Sequence, residues 1–232
     1  MYLSIIIPAY NEEKRIGETL VAVCEYLNKQ SYSHEVIVVN DGSIDRTDEI
    51  VQTFNSKISY LKLIGYSRNQ GKGYAIKQGM LVAEGDLRLF MDADNATSIE
   101  QLDKFLPFVN SYDVVISSRR LPESRTLIVR SYIRELLSLV FTFATRFLLS
   151  LGISDTQNGF KLFTAKAART LFNQQTVNGW AFDVEILVLA RKLGFKVKEV
   201  PVEWINGGHS RMTFLGAYRM GRELLKIYWK YK

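Results

Sequence analysis

Cysteine and histidine are scarce in this chain, and their scarcity argues against two kinds of protein. The 232 residues contain one cysteine and two histidines. Because a disulfide joins two cysteines, Cys24 cannot belong to an internal disulfide framework. His34 and His209 lie far apart in the sequence without a neighbouring cysteine, which argues against a structural zinc site.

Several nucleotide, hydrolase and nucleic-acid signatures are also missing. The chain has neither the P-loop spacing Gly-x4-Gly-Lys-Ser/Thr nor the Gly-x-Gly-x-x-Gly pattern, which disfavours P-loop NTPases and Rossmann oxidoreductases. It has no Gly-x-Ser-x-Gly nucleophile elbow. Since no helix-turn-helix, RNA-recognition or zinc-finger signature occurs either, we expect no nucleic-acid partner.

The apolar segment 132–151 contains too short an uncharged run for a membrane span. A transmembrane helix needs about 20 apolar residues, whereas the uncharged run between Glu135 and Arg146 is about half that length. The segment predicts either a buried helix or a helix in a membrane interface, flanked by Arg130 and Arg134 as well as Arg146. The N-terminus has no basic region of the signal-peptide type. We therefore expect no transmembrane helix within this chain and no signal peptide.

Charge is distributed unevenly along the chain, which carries a net charge of +6. Residues 1–116 contain 11 Lys and Arg against 16 Asp and Glu, whereas residues 117–232 contain 19 against 8. An acidic half joined to a basic half predicts a phosphate-rich substrate, an anionic membrane surface, or both.

Alternating strand and helix patterns predict the fold. Strand–helix–strand alternation favours right-handed crossovers and a mostly parallel sheet flanked by helices. We therefore predict one α/β domain over residues 1–232, without internal repeats. The predicted strands are 4–8, 35–40, 60–64, 87–91, 113–117, a short strand before 165, and 196–202 with Pro201 at an edge or bulge; the predicted helices are 13–28 with Asn11 as N-cap, 47–54, 73–83, 99–110, 165–171, 179–193 and 214–232.

Two carboxylates end the predicted strand 87–91. Asp92 and Asp94 are spaced so that an extended chain points both to one side. Oxygen ligands at the carboxyl end of a strand suit Mg²⁺ or Mn²⁺ held together with substrate phosphates. A polar turn that merely closes the strand is the alternative. Other polar loops follow strands or open helices and should gather at the same sheet edge, at 8–12, 41–45 and 69–73.

Further candidate residues have a functional and a structural interpretation each. Asp41 could accept a hydrogen bond from a ribose hydroxyl or a base N–H, or could cap a helix. Lys72 lies in a glycine-containing loop near a helix start, which suits an anion. Asp155, Asp183 and Glu185 are candidate acids or bases, or else caps and ion-pair partners.

The chain contains, in order, the motifs Ile5–Glu12, Val39–Ser43, Asn69–Gly73 and Asp92–Asp94. These motifs resemble those of family 2 glycosyltransferases with the GT-A fold, which is Rossmann-like. Later motifs follow at Asp94–Thr97, Ser118–Arg119, Asp155–Phe163 and Trp180–Glu185. They narrow the resemblance to polyprenyl- and dolichyl-phosphate sugar synthases, and within these to dolichyl-phosphate β-glucosyltransferases.

The resemblance implies a role for each matched position. Catalytic roles fall on Asp94, Arg119, Asp155 and Asp183, and Asp94 is the firmer of the two metal ligands Asp92 and Asp94, which would bind Mg²⁺ or Mn²⁺. Arg119 and Arg130 or Arg134 would hold the acceptor phosphate and the leaving diphosphate. The substrate-binding positions are Pro8, Ala9, Tyr10, Glu12, Asp41, Lys72, Asp92, Arg130, Arg134, Gln157, Ser210 and Arg211.

The chain departs from the resembled families at three places. Mannosyl enzymes often have Gln where this chain has Ala96, which favours the glucosyl branch and leaves the third protein ligand of the metal unassigned. Asn158 replaces a cysteine that is usual in glucosyl relatives, a change that we interpret as tolerated. An N-terminal membrane helix that those relatives often carry is absent from this sequence.

The resemblance implies an inverting, metal-dependent transfer of a sugar, glucose from UDP-glucose, to a polyprenyl monophosphate. Residues 1–117 would bind the nucleotide sugar, and residues 118–232, with C-terminal interfacial helices, would face the acceptor and the membrane. The protein would be peripheral on the cytoplasmic face of a membrane. A GDP-mannose enzyme and an inactive membrane-surface binding module are the alternatives, and a membrane-protein partner or a homo-oligomer is left open.

Overall fold

The computed structural model describes residues 1–126, Thr145, 151–205 and 214–232. The predicted site residues Arg130, Arg134, Ser210 and Arg211 and nearly all of the segment 132–151 lie outside these ranges. The described strands are β1 (Leu3–Ala9), β2 (His34–Asn40), β3 (Leu61–Gly65), β4 (Leu87–Met91), β5 (Val114–Ser118), β6 (Arg125–Thr126), β7 (Phe160–Thr164), β8 (Val197–Pro201) and β9 (Glu203–Trp204); the helices are α1 (Ile16–Leu27), α2 (Thr47–Gln52), α3 (Lys72–Val82), α4 (Ala165–Gln174), α5 (Phe182–Lys192) and α6 (Phe214–Tyr231), with 3₁₀ helices at Ile99–Lys104 and Leu106–Phe108.

Across the described residues the strands form a seven-stranded sheet in the order β3-β2-β1-β4-β7-β5-β8. Strand β7 runs antiparallel to β4 and β5, and the other neighbouring strands are parallel. Strands β6 and β9 form a separate parallel pair. The predicted mostly parallel α/β sheet is therefore confirmed, and Pro201 lies on the edge strand β8, where a missing N–H is tolerated.

Helices cover both faces of the sheet, which explains why its strands are predominantly apolar. Successive side chains of a strand point to opposite faces. In β1, Ile6 therefore belongs to the core shared with α3, α4, α5 and α6, whereas Ile5 and Ile7 belong to the core shared with α1 and α2. Both cores are continuous layers, so the sheet edge that carries the polar loops is held rigidly.

Two predicted helices differ from the structure. The segment predicted as a helix over 99–110 forms two 3₁₀ helices, because Pro107 lacks an N–H and disfavours α geometry in the residue before it. Helix α1 begins at Ile16 and not at residue 13. Asn11 does not cap it, since its Oδ1 accepts a hydrogen bond from the N–H of Ile44 at 2.9 Å.

In the described parts of the chain, no helix combines the length and the apolar character that crossing a bilayer requires.

Candidate active site

The loops after β1 and β2 interlock at the carboxyl edge of the sheet. The N–H of Asn11 donates to Ser43 Oγ at 2.8 Å, and the N–H of Glu12 donates to Thr47 Oγ1 at 2.8 Å. The carboxylate of Glu12 forms an ion pair with Arg15 at 2.6 Å. These contacts place the predicted substrate-binding positions together: Pro8 and Ala9 end β1, and Tyr10 follows with 39% of its surface exposed.

Asp41 links the β2 loop to the loop that carries Lys72. Its carboxylate accepts hydrogen bonds from the N–H groups of Gln70 at 2.7 Å and Gly71 at 3.0 Å, and from Asn69 Nδ2 at 2.9 Å. Burial raises the pKa of Asp41, although the backbone hydrogen bonds act in the opposite direction. Asp41 therefore orders the loop before α3, and a nucleotide contact would be made from this buried position.

Asp92 and Asp94 lie directly after β4, as the sequence predicts. Lys72 Nζ lies 2.6 Å from Asp92 Oδ1, and the N–H of Asp92 donates to the carbonyl of Gly159 at 3.0 Å. Asp94 Oδ1 accepts from the N–H of Ala96 at 3.1 Å, while its Oδ2 lies 3.7 Å from Arg15. A side-chain carbon at Gly159 would overlap the Asp92 carboxylate, so a larger residue there would displace Asp92.

The Asp92–Asp94 pair is chemically suited to a divalent cation. Burial raises the pKa of Asp94, and the negative charge of Asp92 raises it further. A bound cation would remove this repulsion. Within the described ranges no group of three His, Cys, Asp or Glu side chains surrounds a common point. Mg²⁺ and Mn²⁺ commonly complete their coordination with water and substrate phosphates, so two carboxylates could hold either ion.

Arg119 and Asp155 form a two-pronged ion pair beside this loop. Arg119 Nε donates to Asp155 Oδ2 at 2.6 Å and Nη2 donates to Oδ1 at 2.9 Å. The guanidinium also lies over the ring of Trp204, 5.3 Å from its centroid. Burial by itself would raise the pKa of Asp155, but the charge and hydrogen bonds of Arg119 outweigh it and lower the pKa to about 2. The pair is therefore ionised throughout the physiological range.

Asp183, in the first turn of α5, is paired with a lysine from the sheet. Lys161 Nζ lies 2.5 Å from Asp183 Oδ1 and donates to the carbonyl of Asn158 at 2.7 Å. Both side chains are fully buried, with Lys161 over the ring of Phe90. Because burial disfavours both charged forms, it raises the pKa of Asp183 and lowers that of Lys161.

The three ion pairs act on one another electrostatically. The charge of Lys72 acts on Asp92 and Asp183, and the charge of Arg119 acts on Asp155 and Asp92 as well as Asp183. A site with alternating carboxylates and cations can hold an anionic substrate only where a cation is left accessible or a metal ion adds charge. A phosphate at this sheet edge would therefore need such an accessible cation or an added metal ion.

The sequence pattern alone gives no role to Lys161. A lysine between Phe160 and Leu162 in an apolar strand is a signal of a buried charge with a partner, but the pattern does not indicate which carboxylate it meets. Asn158 accepts from Thr97 Oγ1 at 3.2 Å and so joins its loop to the loop after Asp94.

Two other predicted candidates, Gln157 and Glu185, form their side-chain contacts outside the three ion pairs. Gln157 Nε2 lies 3.2 Å from Met220 Sδ on α6. The carboxylate of Glu185 accepts from the N–H groups of Thr176 and Val177 and from the hydroxyl of Tyr231 at 2.8 Å. Glu185 therefore anchors the C-terminal helix, and its structural interpretation holds.

Comparison with known proteins identifies the class. The sequence pattern described as "Glycosyl transferase family 2" matches residues 4–172. This match covers more than half of the chain and includes every residue of the three ion pairs except Asp183. The chain belongs to glycosyl transferase family 2, and it is a glycosyltransferase, as its motifs predicted.

Curated relatives are similar over nearly the whole chain. A dolichyl-phosphate beta-glucosyltransferase of Trichomonas vaginalis is 41% identical over 98% of this chain and 73% of its own length. The Homo sapiens dolichyl-phosphate beta-glucosyltransferase is 37% identical over 99% of this chain and 75% of its own length. The predicted resemblance is therefore confirmed.

Solved structures share the fold at low identity. Mannosyl-3-phosphoglycerate synthase from Rubrobacter xylanophilus has a TM-score of 0.76 at 18% identity and matches 99% of this chain and 73% of its own. Glucosyl-3-phosphoglycerate synthase from Mycobacterium tuberculosis, solved with Mn²⁺, UDP and phosphoglyceric acid, has a TM-score of 0.73 at 16% identity, over 99% of this chain and 78% of its own. The GT-A fold is confirmed.

Proposed function

We propose that the protein transfers glucose from UDP-glucose to dolichyl phosphate or a related polyprenyl monophosphate, with inversion at the anomeric carbon and with Mg²⁺ or Mn²⁺ as cofactor. The observation that carries this proposal is the cluster of Asp92, Asp94, Lys72 and Arg119 at one sheet edge, in a chain whose relatives are named dolichyl-phosphate beta-glucosyltransferases. Ala96, at the position where mannosyl enzymes often have Gln, supports glucose over mannose.

The donor would lie over the loops of residues 1–117. Asp41 would accept from the base or ribose, while Pro8, Ala9, Tyr10 and Glu12 would line the nucleotide. A divalent cation held by Asp92 and Asp94 would supply Lewis-acid stabilisation of the leaving diphosphate. Lys72, already 2.6 Å from Asp92, would add a positive charge on the same side.

The chemical step requires little more than orientation and charge neutralisation. A phosphate monoester is anionic at neutral pH, so its oxygen can form a bond to the anomeric carbon without a strong general base. The bond from that carbon to UDP breaks on the opposite face, and UDP leaves with the electron pair. Arg119, held by Asp155, would orient the acceptor phosphate, and Asp183 would accept from a sugar hydroxyl.

The acceptor half, residues 118–232, would meet the membrane through helix α6. Its exposed face combines Tyr218, Leu225 and Trp229, of which Trp229 is 73% exposed, with Arg222 and Lys226. An apolar and aromatic face with basic residues suits the headgroup region of an anionic bilayer. The predicted substrate-binding residues Arg130, Arg134, Ser210 and Arg211 belong to the same half of the sequence.

A panel of donors tests the proposal. Purified protein is incubated with Mn²⁺ or Mg²⁺, dolichyl phosphate in detergent, and labelled UDP-glucose, UDP-galactose, UDP-N-acetylglucosamine or GDP-mannose. We expect lipid-linked label from UDP-glucose, lost with EDTA and restored by added Mn²⁺. Label from GDP-mannose alone would show that GDP-mannose is the donor. Transfer that survives EDTA would show that the reaction needs no metal ion.

A further inference from the structure

The C-terminal helix α6 reaches the donor side of the site although it lies beyond the family match at residues 4–172. Its inner face packs into the core through Met220, Leu224 and Ile227. Glu223 lies on this inner side, between Met220 and Ile227 in the helix. Its carboxylate is therefore aimed at the protein, where it meets the turn before α5.

Glu223 fits a notch in that turn. The N–H of Ala181 donates to Glu223 Oε2 at 3.0 Å. A side-chain carbon at Gly179 would overlap the carboxylate of Glu223, so the approach depends on glycine. The Glu223 carboxylate thus bonds the backbone after Trp180 and lies close to the backbone before it.

Trp180 connects Glu223 to the ion pair between Lys72 and Asp92. Its ring is 39% exposed, and Lys72 Nζ lies over it, 5.4 Å from the centroid. Lys72 in turn pairs with Asp92. The same turn contacts the start of α3, because the N–H of Tyr74 donates to the carbonyl of Asn178 at 3.1 Å.

We infer that Glu223 is a positioning residue that acts through Trp180, and that Trp180 is an aromatic wall of the donor pocket. Without Glu223, the N–H of Ala181 would lose its carboxylate acceptor, and the Trp180 ring would no longer be held over Lys72. The contribution to transfer rests on the proposed function, whereas the hold of Glu223 on Trp180 does not. A donor sugar or nucleotide beside Lys72 would contact the exposed face of this ring.

Tryptophan fluorescence tests the contact directly. The chain has three tryptophans, so W204F/W229F leaves Trp180 as the single reporter. In this background we expect E223A to increase quenching of Trp180 by acrylamide without ligand. E223Q keeps an acceptor oxygen and should stay near the parent. G179A should reproduce E223A from the other side of the contact, and R222A, an exposed neighbour on α6, should leave the quenching of Trp180 unchanged.

Kinetics separate positioning from a general loss of structure. We expect E223A to raise the KM for UDP-glucose and lower kcat/KM by about tenfold, as for other supporting residues around a charged site, with the KM for the lipid acceptor unchanged. Equal quenching in E223A, G179A and the parent would overturn the inference. If the parent transfers nothing from UDP-glucose, the proposed function fails while the quenching comparison still decides whether Glu223 holds Trp180.

Discussion

Lys72 Nζ lies 2.6 Å from Asp92 Oδ1, so one of the two carboxylates after β4 is already neutralised by the protein. Burial alone would lower the pKa of Lys72, but the carboxylates of Asp92 and Asp183 outweigh it and raise the pKa, which keeps the side chain cationic. Asp94 has a longer ion pair, with Arg15 at 3.7 Å, besides the hydrogen bond that it accepts from the N–H of Ala96. The two carboxylates are therefore unequal, and Asp94 is the stronger candidate ligand for the proposed metal ion.

Asp94→Asn should abolish transfer. The change removes a negative charge while keeping the size of the side chain, so the metal ion and its charge on the diphosphate should be lost, with a rate loss of about 100-fold or more. The measurement is the initial rate of lipid glucosylation against Mn²⁺ concentration. Asp86→Asn, an exposed carboxyl just before the same strand, is the matched control. A near-normal rate in Asp94→Asn would show that Asp94 is not a metal ligand required for transfer.

Gly159→Ala should weaken metal activation while the fold is retained. The added carbon would overlap the Asp92 carboxylate and push it away from Asp94. We expect about a tenfold higher Mn²⁺ concentration for half-maximal rate, the size of effect seen when the support of a metal ligand is disturbed. Gly221→Ala on α6, where an added carbon meets nothing within 4 Å, should behave as the parent. Equal Mn²⁺ curves for both variants would contradict the packing argument.

The sequence predicts the strands and residues of this site better than the contacts between them. Asp92 and Asp94 follow an apolar strand, and that pattern alone places them at the ligand-binding edge of a parallel sheet. Strand β7 is different, because its short apolar run does not indicate that it inserts antiparallel between β4 and β5. That insertion brings Gly159 against Asp92, a contact between residues far apart in the sequence.

The ion-pair partner of each predicted carboxylate can be identified only from the structure. Asp155 and Asp183 each have a structural and a catalytic interpretation in the sequence, and neither pattern identifies Arg119 or Lys161 as the partner. Their pairing depends on how β5, β7 and α5 pack. The predicted helix over 99–110 is wrong for a local reason, since Pro107 disfavours α geometry at Leu106 and the apolar periodicity does not reflect that effect.

Lys161 and Asp183 should show strong coupling in stability. Removing one partner leaves the other charge buried without compensation, so Lys161→Met and Asp183→Asn should each lower the free energy of unfolding by about 3–5 kcal/mol. The double variant should lose much less than the combined loss of the two single variants, because no charge is then stranded. Urea unfolding of the four proteins measures this cycle. Additive losses would show that the 2.5 Å pair is energetically unimportant.

Asp155 should contribute stability that disappears in acid. Its pKa falls from 3.8 to about 2 on folding, because the Arg119 charge outweighs the opposing effect of burial. A carboxyl with a lowered pKa in the folded state stabilises the fold above its unfolded pKa, and this stability is lost as the pH falls through the folded value. The shift corresponds to about 2 kcal/mol.

Asp155→Asn should therefore have a shallower loss of stability between pH 4 and pH 2 than the parent, by about 2 kcal/mol. Other carboxyls with lowered pKa values, such as Glu35 and Glu185, titrate in both proteins and cancel in the comparison. At neutral pH the variant should be the less stable protein, since Arg119 is then buried without its counter-charge. Urea midpoints at pH 2, 3, 4 and 7 give both results, with Asp86→Asn as the control. Parallel curves for Asp155→Asn and the parent would mean that Arg119 does not hold Asp155 in its ionised form.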